Sequence, residues 1–235
     1  MTEQISPAVS IEIAADVAII RMDDGKANAL GHQAIEALTT AFDRAGESAR
    51  AVALVGREGK FCAGFDLSVM AGDDPAARSD LLAAGARLCH RVYLHPQPVI
   101  AACTGHALAL GALLLASCDV RIGADGPFKL GTNEVAIGLP LPRFGVEIAR
   151  DRLSKRHFQV AVQHARIYDP VGALEAGWLD EIVSVDAVES AAVDHAAGLA
   201  AALHRSAFAL TRTNTRGAVG DAILAGLERD LTDFA

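Results

Sequence analysis

Residues 107–116 run for ten positions without a polar side chain. A helix that is apolar on every side has no face to give to water, so it must be enclosed. A membrane span needs about 20 such residues, so the enclosure has to come from the rest of this chain. Just upstream, residues 99–103 (VIAAC) read as an apolar strand, and Thr104-Gly105 as a turn. A buried strand feeding a buried helix points to layered α/β architecture.

The flanking pattern agrees. Residues 9–13 and 17–22 read as strands joined by a turn at 14–16, and residues 50–55 as a further strand. From Gly31 the apolar residues Ile35, Leu38, Ala41 and Phe42 recur at helical spacing. Residues 72–80 are rich in Gly and charge and read as a mobile loop leading into a helix over 79–94. Pro96 and Pro98 close that helix. Residues 120–122 and 182–185 are expected strands, and the chain from 154 onward is mainly helical. The repeating order is strand, strand, helix. Periodicity leaves open whether the sheet is doubly wound or coiled like a solenoid.

With 235 residues, one core with an appendage and two small domains are both compatible with length. About half the residues are apolar and a fifth are charged, which suits a soluble globular protein. A net charge of −8 argues against a nucleic-acid partner, whose phosphates want a basic face. A small anionic ligand is still allowed, since a few cations and backbone N–H groups can hold one. The four cysteines, 62, 89, 103 and 118, form neither a C-x-x-C pair nor a zinc spacing, and read as reduced, buried thiols. Cys62 or Cys103 with His106 carries no nucleophile signature. The N-terminal residues lack a basic stretch followed by an apolar one, so no signal peptide is expected. A cytoplasmic protein without membrane contact is the expectation.

Four local patterns occur in order. They are Lys26-Ala27-Asn28-Ala29-Leu30, then Phe61-Cys62-Ala63-Gly64-Phe65-Asp66-Leu67. The third runs from Pro98 through Gly105 to Gly111 and on to Ser117-Cys118-Asp119. The fourth is Asn133-Glu134-Val135-Ala136-Ile137-Gly138. Together with Ala173-Leu-Glu-Ala-Gly177-Trp-Leu-Asp, they resemble the enoyl-CoA hydratase/isomerase (crotonase) family. The resemblance covers roughly residues 10–185.

That resemblance implies an α/β spiral of ββα units over residues 1–190, carrying the CoA and active site. A helical region over 191–235 would build homotrimers or hexamers. It implies an acyl-CoA substrate and no separate cofactor, CoA being part of the substrate. Lys26, Ala27 and Ala29 would line the CoA entrance, with Ala63, Gly64, Asp66, Leu67 and Ser68 flanking the pantetheine and thioester. Asp66 is expected as a local cap or an adenine-side contact rather than a base. Residues 69–82 and 139–144 would shape the acyl pocket. Arg212 and Arg216, spaced i, i+4, either reach a phosphate or are solvated surface arginines.

A thioester oxygen gains charge when a neighbouring proton leaves or when water adds to the conjugated double bond. One fixed donor aimed at that oxygen is worth about 3–4 kcal/mol. By position, the donors implied are the N–H groups of Phe65 and Leu110. Leu110 departs from the glycine run common in the family, but a main-chain donor survives it. Glu134 is the implied acid–base group, and a carboxyl beside an apolar channel has its pKa raised. Hydratases of the family usually carry a second glutamate where this chain has Leu113. One carboxylate suffices to move a double bond from position 3 to position 2, which favours isomerase chemistry. A 2-enoyl-CoA hydratase and a non-catalytic acyl-CoA-binding member remain the alternatives.

Overall fold

Strand β1 (Thr2–Ser6) runs antiparallel to β2 (Val9–Ala14), and β2 pairs antiparallel with β3 (Val17–Met22) in the computed structural model, which describes residues 2–233. Ala15 and Asp16 both have positive φ (47° and 67°), the twist that a tight hairpin turn requires. From β3 onward every pairing in this sheet is parallel. β3 pairs with β5 (Ala51–Val55), β5 with β8 (Val99–Cys103), β8 with β10 (Val120–Ala124), and β10 with β12 (Glu181–Val183). The seven-stranded sheet therefore follows chain order, β1-β2-β3-β5-β8-β10-β12.

A second, smaller layer repeats the same progression. β6 (Gly59–Cys62), β9 (Gly105–Leu108) and β11 (Leu130–Gly131) form one short parallel sheet, and β4 (Ala29–Leu30) pairs with β7 (Gly64–Phe65). Each long strand is followed by a short one, then in most steps by a helix: α1 (His32–Ser48), α3 (Pro75–Tyr93), α4 (Leu110–Ser117). The sheet is coiled, not doubly wound. This is the ββα spiral that the resemblance implied.

The main sheet is covered on both faces, so β5 and β8 are buried along their whole length. Val52 and Leu54 face α1, α3 and α4 in one core, while Ala51, Ala53 and Val55 face the other way. That second face is covered by α8 (Val188–Ala202), which offers Val188, Ala192, Ala196 and Ala200 at four-residue spacing. The division expected at residue 190 falls inside this helix. α5 (Arg143–Arg152), α6 (Lys155–Val162) and α7 (Pro170–Ala176) follow β11, and α9 (Arg205–Asp233) packs on α3 and α5. Among the described residues no helix is long and apolar enough to cross a membrane.

Three local expectations need correction. α3 starts at Pro75, inside the stretch expected as a loop, because Asp74 accepts from the Ala76 and Ala77 N–H groups at 2.9 and 3.2 Å. Asp followed by Pro is a helix-start signal, here hidden among the charges of residues 72–80. The expected turn at 104–105 is brief: Gly105 already opens β9, and α4 begins only at Leu110. β12 ends at Val183, and residues 185–187 form a 3-10 turn.

Candidate active site

The loop carrying Lys26, Ala27 and Ala29 is tied by two side chains. Asp24 Oδ1 accepts from the Lys26 and Asn28 N–H groups at 2.7 and 2.9 Å. Asn28, buried at φ 52°, donates through Nδ2 to the Met22 and Phe61 carbonyls at 2.8 and 3.1 Å. Asn tolerates this left-handed conformation better than most residues. The Ala63 N–H donates to Ala27 O and the Asp66 N–H to Leu30 O, both at 3.1 Å. The two segments implied for CoA therefore lie side by side. Lys26, Leu67 and Ser68 are exposed, and Ala27, Ala29, Ala63 and Asp66 half-buried. Asp66 is the cap of α2 (Leu67–Met70), accepting from the Ser68 N–H at 2.9 Å and its hydroxyl at 2.7 Å. Arg57, which the sequence did not mark, donates to Lys26 O at 2.8 Å and to Asp23 Oδ1 at 3.0 Å.

Phe65 and Leu110 come from different turns of the spiral, and glycines bring them together. Gly64 has φ +102°, and a Cβ placed there would lie 2.9 Å from Ala109 Cβ and 3.4 Å from Leu110 N. Residue 64 must be glycine for the Phe65 amide to approach the start of α4. Gly111 sits so tightly on Cys62 that a Cβ would come 2.2 Å from its carbonyl oxygen. Ala109 holds φ 51° and ψ −128° immediately before Leu110. The Leu110 amide opens α4, where the first N–H groups have no acceptor within the helix. Its side chain is buried. Gly85 of α3 lies where a Cβ would be 3.0 Å from Leu110 Cδ2 and 2.5 Å from the Phe65 ring, so both side chains are directed into α3.

Glu134 leaves the same junction. β11 pairs with β9, and the Ala109 N–H donates to Gly131 O at 3.1 Å, so the strand leading to Glu134 runs beside the Leu110 turn. The Glu134 carbonyl anchors a short turn, accepting from the Ile137 and Leu139 N–H groups at 3.0 Å each. Burial pushes the Glu134 carboxyl up to about 7, opposed only by the N–H groups of Glu134 and Asn133. Among the described residues its Oε2 is buried with no hydrogen-bond partner. The position implied for a second acid holds Leu113, 1% exposed, whose Cδ1 would meet a Cβ on Gly145 of α5 at 2.7 Å. Leu141, from the expected acyl-pocket stretch, packs at the same glycine.

Arg212 and Arg216 are neither solvated nor free to meet a phosphate. Both pair with Asp119, at 2.6 and 3.0 Å, and both donate to the Tyr93 carbonyl, at 3.3 and 3.1 Å. Asp119 also accepts from the Val99 N–H at 2.8 Å. The thiols of Cys62, Cys89 and Cys103 are pushed up to about 12 by burial, and that of Cys118 higher still, so none is a ready nucleophile. His106 Nδ1 accepts from the Lys129 N–H at 3.0 Å, and its ring meets Phe128 edge-on. Among the described residues no group of three His, Cys, Asp or Glu is arranged to hold a metal ion. An open groove of about 810 Å³ between α1 and α3 is lined by His32, His90 and His95, and by none of the implied site residues.

Comparison with known proteins gives the same picture. The family model described as enoyl-CoA hydratase/isomerase matches residues 12–234. Mouse mitochondrial enoyl-CoA delta isomerase 1 is 29% identical over 230 residues, covering 96% of this chain and 79% of that protein. A probable enoyl-CoA hydratase of Mycobacterium tuberculosis is 35% identical over 143 residues, covering 59% of this chain and 51% of that one. The crystal structure of an enoyl-CoA hydratase/isomerase family protein from Pseudomonas syringae superposes with a TM-score of 0.95 at 38% identity, over 99% of this chain and all of that one. With the coiled ββα spiral, the glycine-mediated junction of Phe65 and Leu110 and the half-buried Glu134, the chain belongs to the enoyl-CoA hydratase/isomerase family of crotonase-type enzymes.

Proposed function

We propose that the protein moves the double bond of a 3-enoyl-CoA to position 2, with Glu134 as sole acid–base group. The Glu134 carboxylate takes a proton from C2. The electron pair of that C–H bond forms a C1–C2 double bond as the carbonyl π pair moves onto the thioester oxygen, where the Phe65 and Leu110 N–H groups donate to it. When that pair returns to the carbonyl, the C1–C2 pair forms the C2–C3 double bond and the C3–C4 π pair captures at C4 the proton returned by Glu134. The loop at Lys26–Ala29 and the turn at Ala63–Ser68 flank the CoA moiety.

The observation that carries this reading is the contrast between Glu134 and Leu113. One carboxyl, on half-buried Glu134, has a buried and unpaired Oε2 and is raised to about 7, close to where proton transfer at neutral pH works best. The place of a second acid is filled by an apolar side chain seated on Gly145. Hydration is simplest with two carboxyls sharing one water, whereas the double-bond shift needs only one.

The hydratase reading is favoured by the 35% identity to a hydratase relative over 143 residues. Assaying the purified protein and its Glu134→Ala variant with 3-enoyl-CoA and 2-enoyl-CoA separates the two. Conversion of the 3-enoyl substrate alone, abolished in the variant, supports the isomerase. Water addition to the 2-enoyl substrate overturns it in favour of the hydratase. Saturable binding without turnover of either identifies a non-catalytic acyl-CoA-binding protein.

A further inference from the structure

Asp230, near the end of α9, is fully buried, at 0% exposure. Buried carboxylates are rare and need partners. Its partners lie in the first turn of α5. Oδ1 accepts from the Arg143 N–H at 2.8 Å and from Arg143 Nη1 at 3.2 Å, and Oδ2 from the Phe144 N–H at 3.2 Å. α5 has no local cap, because the residue before it is Pro142. Its first amides lack intrahelical acceptors, and a negative charge is favoured there. Asp230 therefore supplies the cap from 87 residues away. α9 is seated for this by buried Ile223 and Leu227, and by Gly226, where a Cβ would come 3.1 Å from Arg143 Cβ.

The cap bears on Glu134 through residues 135–142. Val135, Ile137 and Leu139 in this stretch are exposed. Upstream the chain is fixed by β11; within the stretch the Ile137 and Leu139 N–H groups bond back to the Glu134 carbonyl, and downstream the chain is next held by another element at the start of α5. Leu141, at the end of the stretch, packs against Gly145 beside Leu113.

We propose that Asp230 is a positioning residue: by capping α5 from the C-terminal helix, it holds residues 135–142 in place and keeps water from the Glu134 carboxyl. Only the kinetic readout of this idea rests on Glu134 being the acid–base group. Among the described residues no charged side chain acts on that carboxyl, so burial governs its titration. Among the described residues the charged group facing Asp230 is Arg143.

The test is a carbon-13 NMR titration of the full chain labelled on glutamate carboxyls, with the Glu134 signal assigned by its loss in Glu134→Gln. In Asp230→Ala the Glu134 midpoint is expected to fall by about one unit or more towards the ordinary carboxylate value. The acid limb of kcat/KM moves with it. Asp230→Asn, which keeps an acceptor oxygen, is expected to lie between the two and carries the test if the alanine variant fails to fold. Val188→Ala, on α8 across the main sheet, controls for general loss of stability and leaves the midpoint unchanged. A wild-type midpoint in the folded Asp230 variants overturns the proposal, as does an equal shift in Val188→Ala. A shifted midpoint in a protein without turnover supports the positioning role and refutes the catalytic reading.

Discussion

Asp119 and Arg212 meet at 2.6 Å across 93 residues of sequence, joining the bend between α4 and β10 to the C-terminal helix. Arg212 is 5% exposed. Its guanidinium also reaches the Tyr93 carbonyl and lies over the Phe208 ring at 4.6 Å. Removing Arg212 takes one charged hydrogen bond from Asp119, which keeps Arg216 at 3.0 Å and the Val99 N–H at 2.8 Å. Arg212→Ala is therefore expected to lower stability by about 1.5–3 kcal/mol, read by urea unfolding. Acyl-CoA affinity of the folded variant is expected to be unchanged, because the arginine is spent on the fold.

The pH dependence of turnover should report Glu134. A group that must accept a proton works only when ionised, so kcat/KM is expected to fall as pH drops through about 7. An ordinary, exposed glutamate would place that limb near 4.5. Glu134→Gln should remove the limb and lower turnover by about 10²–10⁴-fold, while acyl-CoA binding persists.

The same carboxyl makes a statement about stability. The native state holds its proton up to about 7 and the unfolded state releases it near 4.5. Between those values the unfolded chain binds fewer protons, so wild-type stability declines as pH rises. The shift from 4.5 to about 7 corresponds to about 3 kcal/mol. The stability of Glu134→Gln relative to wild type is thus expected to improve by about that amount from pH 4 to pH 8. Thermal unfolding at both pH values measures it. A constant difference between the two proteins would count against a desolvated Glu134 carboxyl.

Gly64→Ala tests the junction of the two amides. The new methyl would meet Ala109 Cβ at 2.9 Å on a backbone with φ +102°, so the turn carrying the Phe65 amide must shift. Losing one donor to a developing oxyanion costs about 10²–10³ in kcat, and that is the loss expected, with a smaller change in acyl-CoA affinity.

The sequence is most legible where burial is demanded on every side. Residues 107–116 could only be core, and α4 is buried at every position. The hairpin at 9–22 and the helix from Gly31 follow from alternation and helical spacing. β1 escaped notice because TEQIS has little alternation, and β9 because its four residues run directly into the apolar helix. Glu134, Phe65 and Leu110 were found through ordered motifs, which carry position but not environment. That Leu110 turns into α3 depends on Gly85, and that Leu113 is sealed depends on Gly145. Both contacts join separate helices. Arg212, Arg216 and Asp230 were beyond local reading for a related reason. Their spacing fixes a helix face, but the groups that face them belong to residues around a hundred positions away.

The four buried thiols carry a consequence of a different kind. They sit on β6, α3, β8 and just past α4, spread through separate layers of the coil, and each is fully enclosed. An alkylating reagent can reach them only when those layers part. The rate at which each cysteine is consumed under native conditions then times the opening of its own layer, so the chain carries four internal clocks from which the order of its unravelling can be read by mass spectrometry.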